Sequence, residues 1–138
     1  MITAVDTNVL IDVFAADAEF GPRSRAALRH CIAEGGLIAC DVVWAEVAAG
    51  FDDRDRAAAA LDRLGVRFVA LAEEAAFDAG AAWRAYRRRA GRRDRVMADF
   101  LIGAHAMLSA DRLLTRDRGF YATYFDGLEI VDPSRSRR

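Results

Sequence analysis

Ile2-Thr3-Ala4-Val5-Asp6-Thr7-Asn8-Val9-Leu10 is the stretch that decides the fold. Residues 2–5 form a short apolar run of strand length that ends on Asp6. After Thr7-Asn8, Val9, Leu10, Val13 and Phe14 take up helical spacing. This strand, turn and helix unit recurs along the chain. Residues 22–34 predict a helix, with Pro22 at its first position and Gly35-Gly36 stopping it. Residues 37–40 predict a second strand, and Asp41 is the expected N-cap of a helix over 42–50. An Ala-rich helix over 53–64 with Gly65 as its cap leads to a third strand over 66–71. A long helix over 73–90 closes at Gly91. Asp94 is the expected cap of another helix, in which Val96, Phe100, Leu101, Ala104, Met107 and Leu108 make one apolar stripe. Residues 113–115 and 129–131 predict the last strands. Short apolar strands alternating with amphipathic helices give an α/β fold, with a mostly parallel sheet between helical layers.

The chain has 138 residues, 54% of them hydrophobic, and a mean hydropathy of +0.03, which argues for a packed core and against disorder. That length suits a single domain over residues 1–132, and the tail over 133–138, with Arg135, Arg137 and Arg138, is expected to be disordered. No apolar run nears the roughly 20 residues a membrane helix needs, and the first residues enter a strand rather than a signal sequence, so a soluble, cytoplasmic protein is expected. Cys31 and Cys40 lack the spacing of a zinc site and read as small core residues. The formal charge is −1, and all 20 basic residues are Arg. Seven of them (Arg84, Arg87, Arg88, Arg89, Arg92, Arg93 and Arg95) fall within twelve residues. Such a run is either a solvated helix face or a track for RNA phosphates, with Arg89, Arg92, Arg93 and Arg95 as the candidate contacts.

In open parallel α/β sheets the functional crevice lies beyond the carboxyl ends of the strands. Asp6 ends the first strand and Asp117 lies two residues after the 113–115 strand, so both acids should face the same sheet edge. At about 100° per residue, Glu46 lies about 60° outside the apolar arc of its helix, and Asp99 stands in the same relation to Val96. Gly50 and Gly103, one turn beyond these acids, are candidates for close approach of another backbone. Each acid alone also reads as a cap, a turn former or a solvated side chain. Four together would repel one another and resist ionisation unless a cation neutralised them. Mg²⁺ or Mn²⁺ takes oxygen ligands of this kind, and such a site activates water for phosphodiester hydrolysis.

Four segments carry a resemblance. Ala4-Val5-Asp6-Thr7-Asn8-Val9-Leu10 resembles the opening motif of PIN-domain ribonucleases of the VapC-type toxins. Val42-Val43-Trp44-Ala45-Glu46-Val47 resembles the family's acid-bearing helix. Asp99-Phe100-Leu101-Ile102-Gly103-Ala104-His105-Ala106 is similar to its third motif, and Leu114-Thr115-Arg116-Asp117-Arg118-Gly119-Phe120 to its fourth. The resemblance implies a three-layer α/β/α sandwich with a central, mostly parallel sheet. It implies a metal site for Mg²⁺ or Mn²⁺ on Asp6, Glu46, Asp99 and Asp117, with Asn8 and Thr115 supporting it by hydrogen bonds. It further implies an endoribonuclease that leaves a 5′-phosphate and a 3′-hydroxyl, a toxin of a type II toxin–antitoxin pair. A homodimer and a small neutralising antitoxin follow as partners. The segment before Asp99, where the Arg cluster sits, varies in length across the family.

The alternative is a catalytically inactive PIN-fold module that binds RNA or protein, which the presence of all four acids does not favour. A receiver-like domain would need paired acids after the first strand and a Lys, and the chain has no Lys. Trp83 and Tyr86 are candidates either for stacking bases or for core and dimer contacts. His30 and His105 read as structural, and Asp12, Asp17, Asp52, Asp53 and Asp55 as solvated acids. No GxSxG, P-loop or GxGxxG sequence occurs, which removes elbow-hydrolase and nucleotide-cradle readings.

Overall fold

The computed structural model describes residues 1–89 and 94–135. Five strands, β1 (Ile2–Val5), β2 (Gly36–Ala39), β3 (Val66–Phe68), β4 (Arg112–Leu114) and β5 (Glu129–Val131), make one parallel sheet in the order β3-β2-β1-β4-β5. Its register sets Ala4 between Ile38 and Leu113. The described helices are α1 (Thr7–Phe14), α2 (Gly21–Glu34), α3 (Asp41–Ala48), α4 (Arg54–Arg63), α5 (Glu73–Arg88), α6 (Met97–Ser109) and α7 (Arg118–Tyr124). With the sheet they form the expected three-layer α/β/α architecture. The chain steps outward from β1 toward β2 on one side and toward β4 on the other. The order therefore reverses between β1 and β4, and a crevice opens beyond their carboxyl ends.

Val5, Val9, Leu10, Leu37, Val43, Val47, Leu113 and Leu114 fill the sheet–helix interface almost without solvent contact. An aromatic cluster extends this core under the crevice. Phe100, fully buried, lies 5.3 Å from Trp83, 5.4 Å from Tyr86 and 5.1 Å from Phe120, centroid to centroid. Removing such a ring costs about 3–5 kcal/mol. Trp83 and Tyr86 thus lie in or against the core, and the free Cys31 and Cys40 are buried as expected.

Several local expectations are corrected. Asp41 does not cap α3; it occupies the first turn after an extended Cys40 and accepts a hydrogen bond from Leu71 N–H at 3.3 Å. Asp94 does not cap α6 either, because the extended residue before the helix is Val96 and the helix begins at Met97. Strand β3 stops at Phe68 rather than 71, with one further ladder bond from Val69 N–H to Ala39 O at 3.0 Å. Helix α5 ends at Arg88, and its expected end at 90 and stop at Gly91 lie outside the described residues, as do residues 136–138 of the tail. The single apolar stripe on α6 fails: Val96, Met107 and Leu108 are exposed, while Phe100 and every residue from Ile102 to Ala106 are buried. A stripe presumes one burying face, whereas α6 packs against α5, α3, β1 and β4. Gly103 has a steric reason for its place, since a Cβ there would run into the Phe125 ring rather than another backbone. At Gly50 a Cβ would make ordinary contact only. Gly65 behaves as expected, taking the left-handed conformation, φ +72°, that ends α4. Asp53, read as a solvated acid, is exposed but also caps that helix by accepting from Arg56 N–H at 2.8 Å.

Candidate metal centre

A cleft of about 360 Å³ sits in the crevice, lined by Asp6, Thr7, Asn8, Ile11, Asp12, Glu46, Asp99, Ile102, Arg116 and Asp117. All four acids singled out from the sequence line it. Asp6 reaches it because β1 ends there: its N–H still bonds Leu114 O at 2.9 Å, while its carboxylate caps α1 by accepting from Thr7 N–H at 2.7 Å. Thr115, one residue past β4, donates its hydroxyl to Asp6 at 2.7 Å and accepts from Asp117 N–H at 3.0 Å. One buried hydroxyl thus ties the ends of the two central strands together. Asn8 donates to Asp6 at 3.3 Å and accepts from Arg116 N–H at 3.3 Å. Glu46 comes from α3 and is exposed, with Oε1 held by the Thr7 hydroxyl at 2.8 Å. Asp99, in the first turn of α6, accepts from Val96 N–H at 3.5 Å.

Electrostatics follow from this packing. Burial is the main cause that raises the Asp6 carboxyl from 3.8 to about 6; the Asp99 charge adds to it, and bonds from Thr115 and Thr7 oppose it. Asp99 is also raised, first by burial and further by Asp117 and Glu46, with its Val96 bond and Arg95 working against the rise. Beneath them Tyr121 is buried, and among the described residues its hydroxyl finds no hydrogen-bond partner of acceptable geometry although it faces Asp6. Burial and the negative charge of Asp6, Asp99 and Asp117 hold that phenol firmly protonated.

Cationic side chains frame the acids. Arg95 clamps Asp117 with both terminal nitrogens, Nη2 at 3.1 Å from Oδ1, and its Nη1 lies 3.9 Å from Asp99 Oδ2. Arg89 stands over the Tyr124 ring, 5.5 Å from its centroid, while Arg92 and Arg93 lie outside the described residues. Asp12 corrects its reading as a solvated acid: it is buried, accepts from Ser24 Oγ at 2.8 Å, and grips Arg116 at 2.7 and 3.0 Å. Sequence reasoning missed Asp12, Arg116 and Tyr121 as neighbours of the cleft. Asp12 lies one helical turn beyond Asn8, and Tyr121 one turn beyond Asp117, but the short helix α7 carrying Tyr121 was not foreseen. The histidines are structural: His105 Nε2 is 2.8 Å from Val69 O, and His30 pairs with Glu34.

An all-oxygen set of four carboxylates, two of them resisting ionisation, suits a hard divalent cation. Among the described residues no three His, Cys, Asp or Glu side chains converge tightly enough to grip an ion as they stand. The donors therefore fit such a cation in kind, and Asp117 is turned to Arg95.

Comparisons with known proteins come from sequence and from structure. No curated protein matches the sequence significantly. Among solved structures, VapBC2 from Rickettsia felis, bound to a DNA fragment from its promoter, shares 17% identity at a TM-score of 0.74, covering 96% of this chain and 98% of that one. FitAcB from Neisseria gonorrhoeae shares 23% identity at a TM-score of 0.67, covering 99% and 100%. VapC20 from Mycobacterium tuberculosis, a toxin that cleaves the sarcin–ricin loop, shares 18% identity at a TM-score of 0.57, covering 92% and 98%. At these identities the likeness is one of fold. The model of the PIN domain family matches residues 3–126, from the first central strand through the helix after Asp117, so this chain belongs to the PIN domain family.

Proposed function

We propose that this protein is a divalent-metal-dependent endoribonuclease and the toxin of a type II toxin–antitoxin pair. The observation that carries the reading is the gathering of Asp6, Glu46, Asp99 and Asp117, from four separate segments, on one cleft at the switch point of a PIN-family sheet. Asp6, Glu46 and Asp99 would hold Mg²⁺ or Mn²⁺, with Asp117 holding a second ion or orienting water. Once bound, the cation supplies a water of lowered pKa and neutralises charge on the attacked phosphate. The chain's own share is positional. Thr115 and Asn8 fix the Asp6 carboxylate, Thr7 holds Glu46, and the apolar Ile11 and Ile102 border the cleft.

RNA as substrate and a small antitoxin as partner are supported by the neighbours, which include a sarcin–ricin loop cleaving toxin and toxin–antitoxin complexes. An antitoxin Arg or Lys entering the cleft would compensate the carboxylates in place of metal, with an apolar antitoxin helix beside it. A homodimer and a cytoplasmic location belong to the same proposal. No helix among the described residues is long and apolar enough to cross a membrane.

The test incubates the protein with structured RNAs in Mg²⁺ or Mn²⁺, with an EDTA control and the Asp6→Asn and Asp99→Asn variants. Cleavage should require metal and vanish in both variants while their circular dichroism stays native. Full cleavage by a folded Asp99→Asn protein would falsify the site assignment. Expression alone should arrest growth, and the small gene beside it should rescue; a harmless wild-type chain with that neighbour deleted would refute the toxin role.

A further inference from the structure

Arg95 stands at the rim of the acidic cleft, ahead of α6 and outside any helix or strand. Its backbone N–H donates to Tyr86 Oη at 2.9 Å, and its guanidinium carbon lies 4.4 Å from the centroid of the Phe120 ring. From this anchored position the guanidinium grips both oxygens of Asp117 and approaches Asp99. We propose that Arg95 is an internal latch on the cleft: its guanidinium and a divalent cation compete for Asp117 and Asp99, so that cation binding and release of Arg95 are one coupled event. This rests on reading the cleft as a divalent-cation site.

Three observations support it. A bidentate guanidinium occupies the syn lone pair of each carboxylate oxygen, the pair a chelating cation would use. The positive charge sits between two of the four acids and repels any cation brought to them. The pair is also releasable, because the Arg95 and Asp117 side chains keep 29% and 34% of their surface exposed, and water can solvate the freed guanidinium. A merely structural Arg95 makes the opposite prediction. If it only oriented Asp117 as a ligand, its loss would weaken cation binding.

The experiment measures Mn²⁺ binding to the full chain by the electron paramagnetic resonance of free Mn²⁺. Wild type, Arg95→Gln and Arg95→Lys are compared, with circular dichroism to verify folding. Arg95→Gln should bind Mn²⁺ roughly 2- to 5-fold more tightly, the range expected for removing a partly exposed ion pair. Arg95→Lys, which keeps the charge but loses the two-pronged grip, should fall between, and it decides the matter if the Gln variant does not fold. In wild type, the Arg95 Nε–H resonance should shift with Mg²⁺ along the binding isotherm. Equal or weaker binding by the folded variants, or a resonance unmoved at saturation, overturns the latch. If all three proteins bind alike, the latch alone falls. If none binds, the cation reading fails and the latch falls with it.

Discussion

Asp6→Asn should stabilise the metal-free protein at neutral pH, although Asp6 sits in the middle of the site. Its carboxyl is raised from an ordinary 3.8 to about 6, with burial as the main cause. Folding between these pH values therefore takes up a proton. The stability Asp6 contributes is fully present below pH 3.8 and is lost as pH rises through about 6. At about 1.4 kcal/mol per pH unit, a gap of that size makes the ionised carboxylate cost about 3 kcal/mol at pH 7. An Asn avoids that cost, but it meets Thr115 Oγ1 and Thr7 N–H less well than a carboxylate does, which takes back about 1–2 kcal/mol. The net gain should be about 1–2 kcal/mol at pH 7 in EDTA, or roughly 3–8 °C in Tm for a chain of this size. It should shrink to nothing or reverse near pH 4, where wild-type Asp6 is protonated. With Mg²⁺ in excess the order should invert, since only the wild type gains the stabilisation of a bound ion. Urea unfolding at pH 4.5, 6 and 7, with EDTA or Mg²⁺, measures all three effects. A variant less stable than wild type at pH 7 in EDTA, or an advantage that does not fall with pH, would refute the reasoning.

Three further expectations follow from the packing. Asp12→Ala removes the buried partner of Arg116 and Ser24 and should cost about 2–4 kcal/mol in urea unfolding; a loss below 1 kcal/mol would return Asp12 to a surface role. Gly103→Ala drives a methyl group into the Phe125 ring and should cost about 1–3 kcal/mol, relieved by a second Phe125→Leu change, and an unaltered melting curve would contradict the close approach. If Arg89, Arg92 and Arg93 contact RNA phosphates, neutralising all three should weaken binding of every single strand alike and flatten the log affinity against log salt slope by roughly 2. An unchanged slope would leave them a solvated face.

What the sequence shows and what it hides follow from how local each signal is. The run through Asp6 was legible because strand, turn and helix are each announced within a few residues, and the same holds for Gly65 at the end of α4. The four acids were legible because each sits at a strand end or one step off an apolar arc, and the cleft does gather them. Helix starts at Asp41 and Asp94 were misread because an acid ahead of an apolar run resembles a cap whether or not the backbone turns helical there. Asp41 instead bonds the 66–71 segment, a partner thirty residues away. Asp12 and Arg116 lie 104 residues apart, and no local pattern announces such a pair. The stripe on α6 failed for the same reason, since burial on several sides is set by neighbours the helix's own sequence does not name.

The four acids of the cleft have their charge offset in three different ways, and this explains why they can coexist in a folded chain. Asp6, the most buried, is held by Thr115, Thr7 and Asn8 and retains a proton up to about pH 6. Asp117 has the guanidinium of Arg95, which Asp99 shares at longer range. Glu46 stays exposed, where water screens it, with one bond from Thr7. Two of these three devices are reversible on binding: a proton can leave Asp6, and Arg95 can leave Asp117. Cation affinity should therefore rise between pH 5 and 7, with a proton released as the ion binds. Removing Arg95 should raise affinity across that range without abolishing its pH dependence, because Asp6 would still titrate.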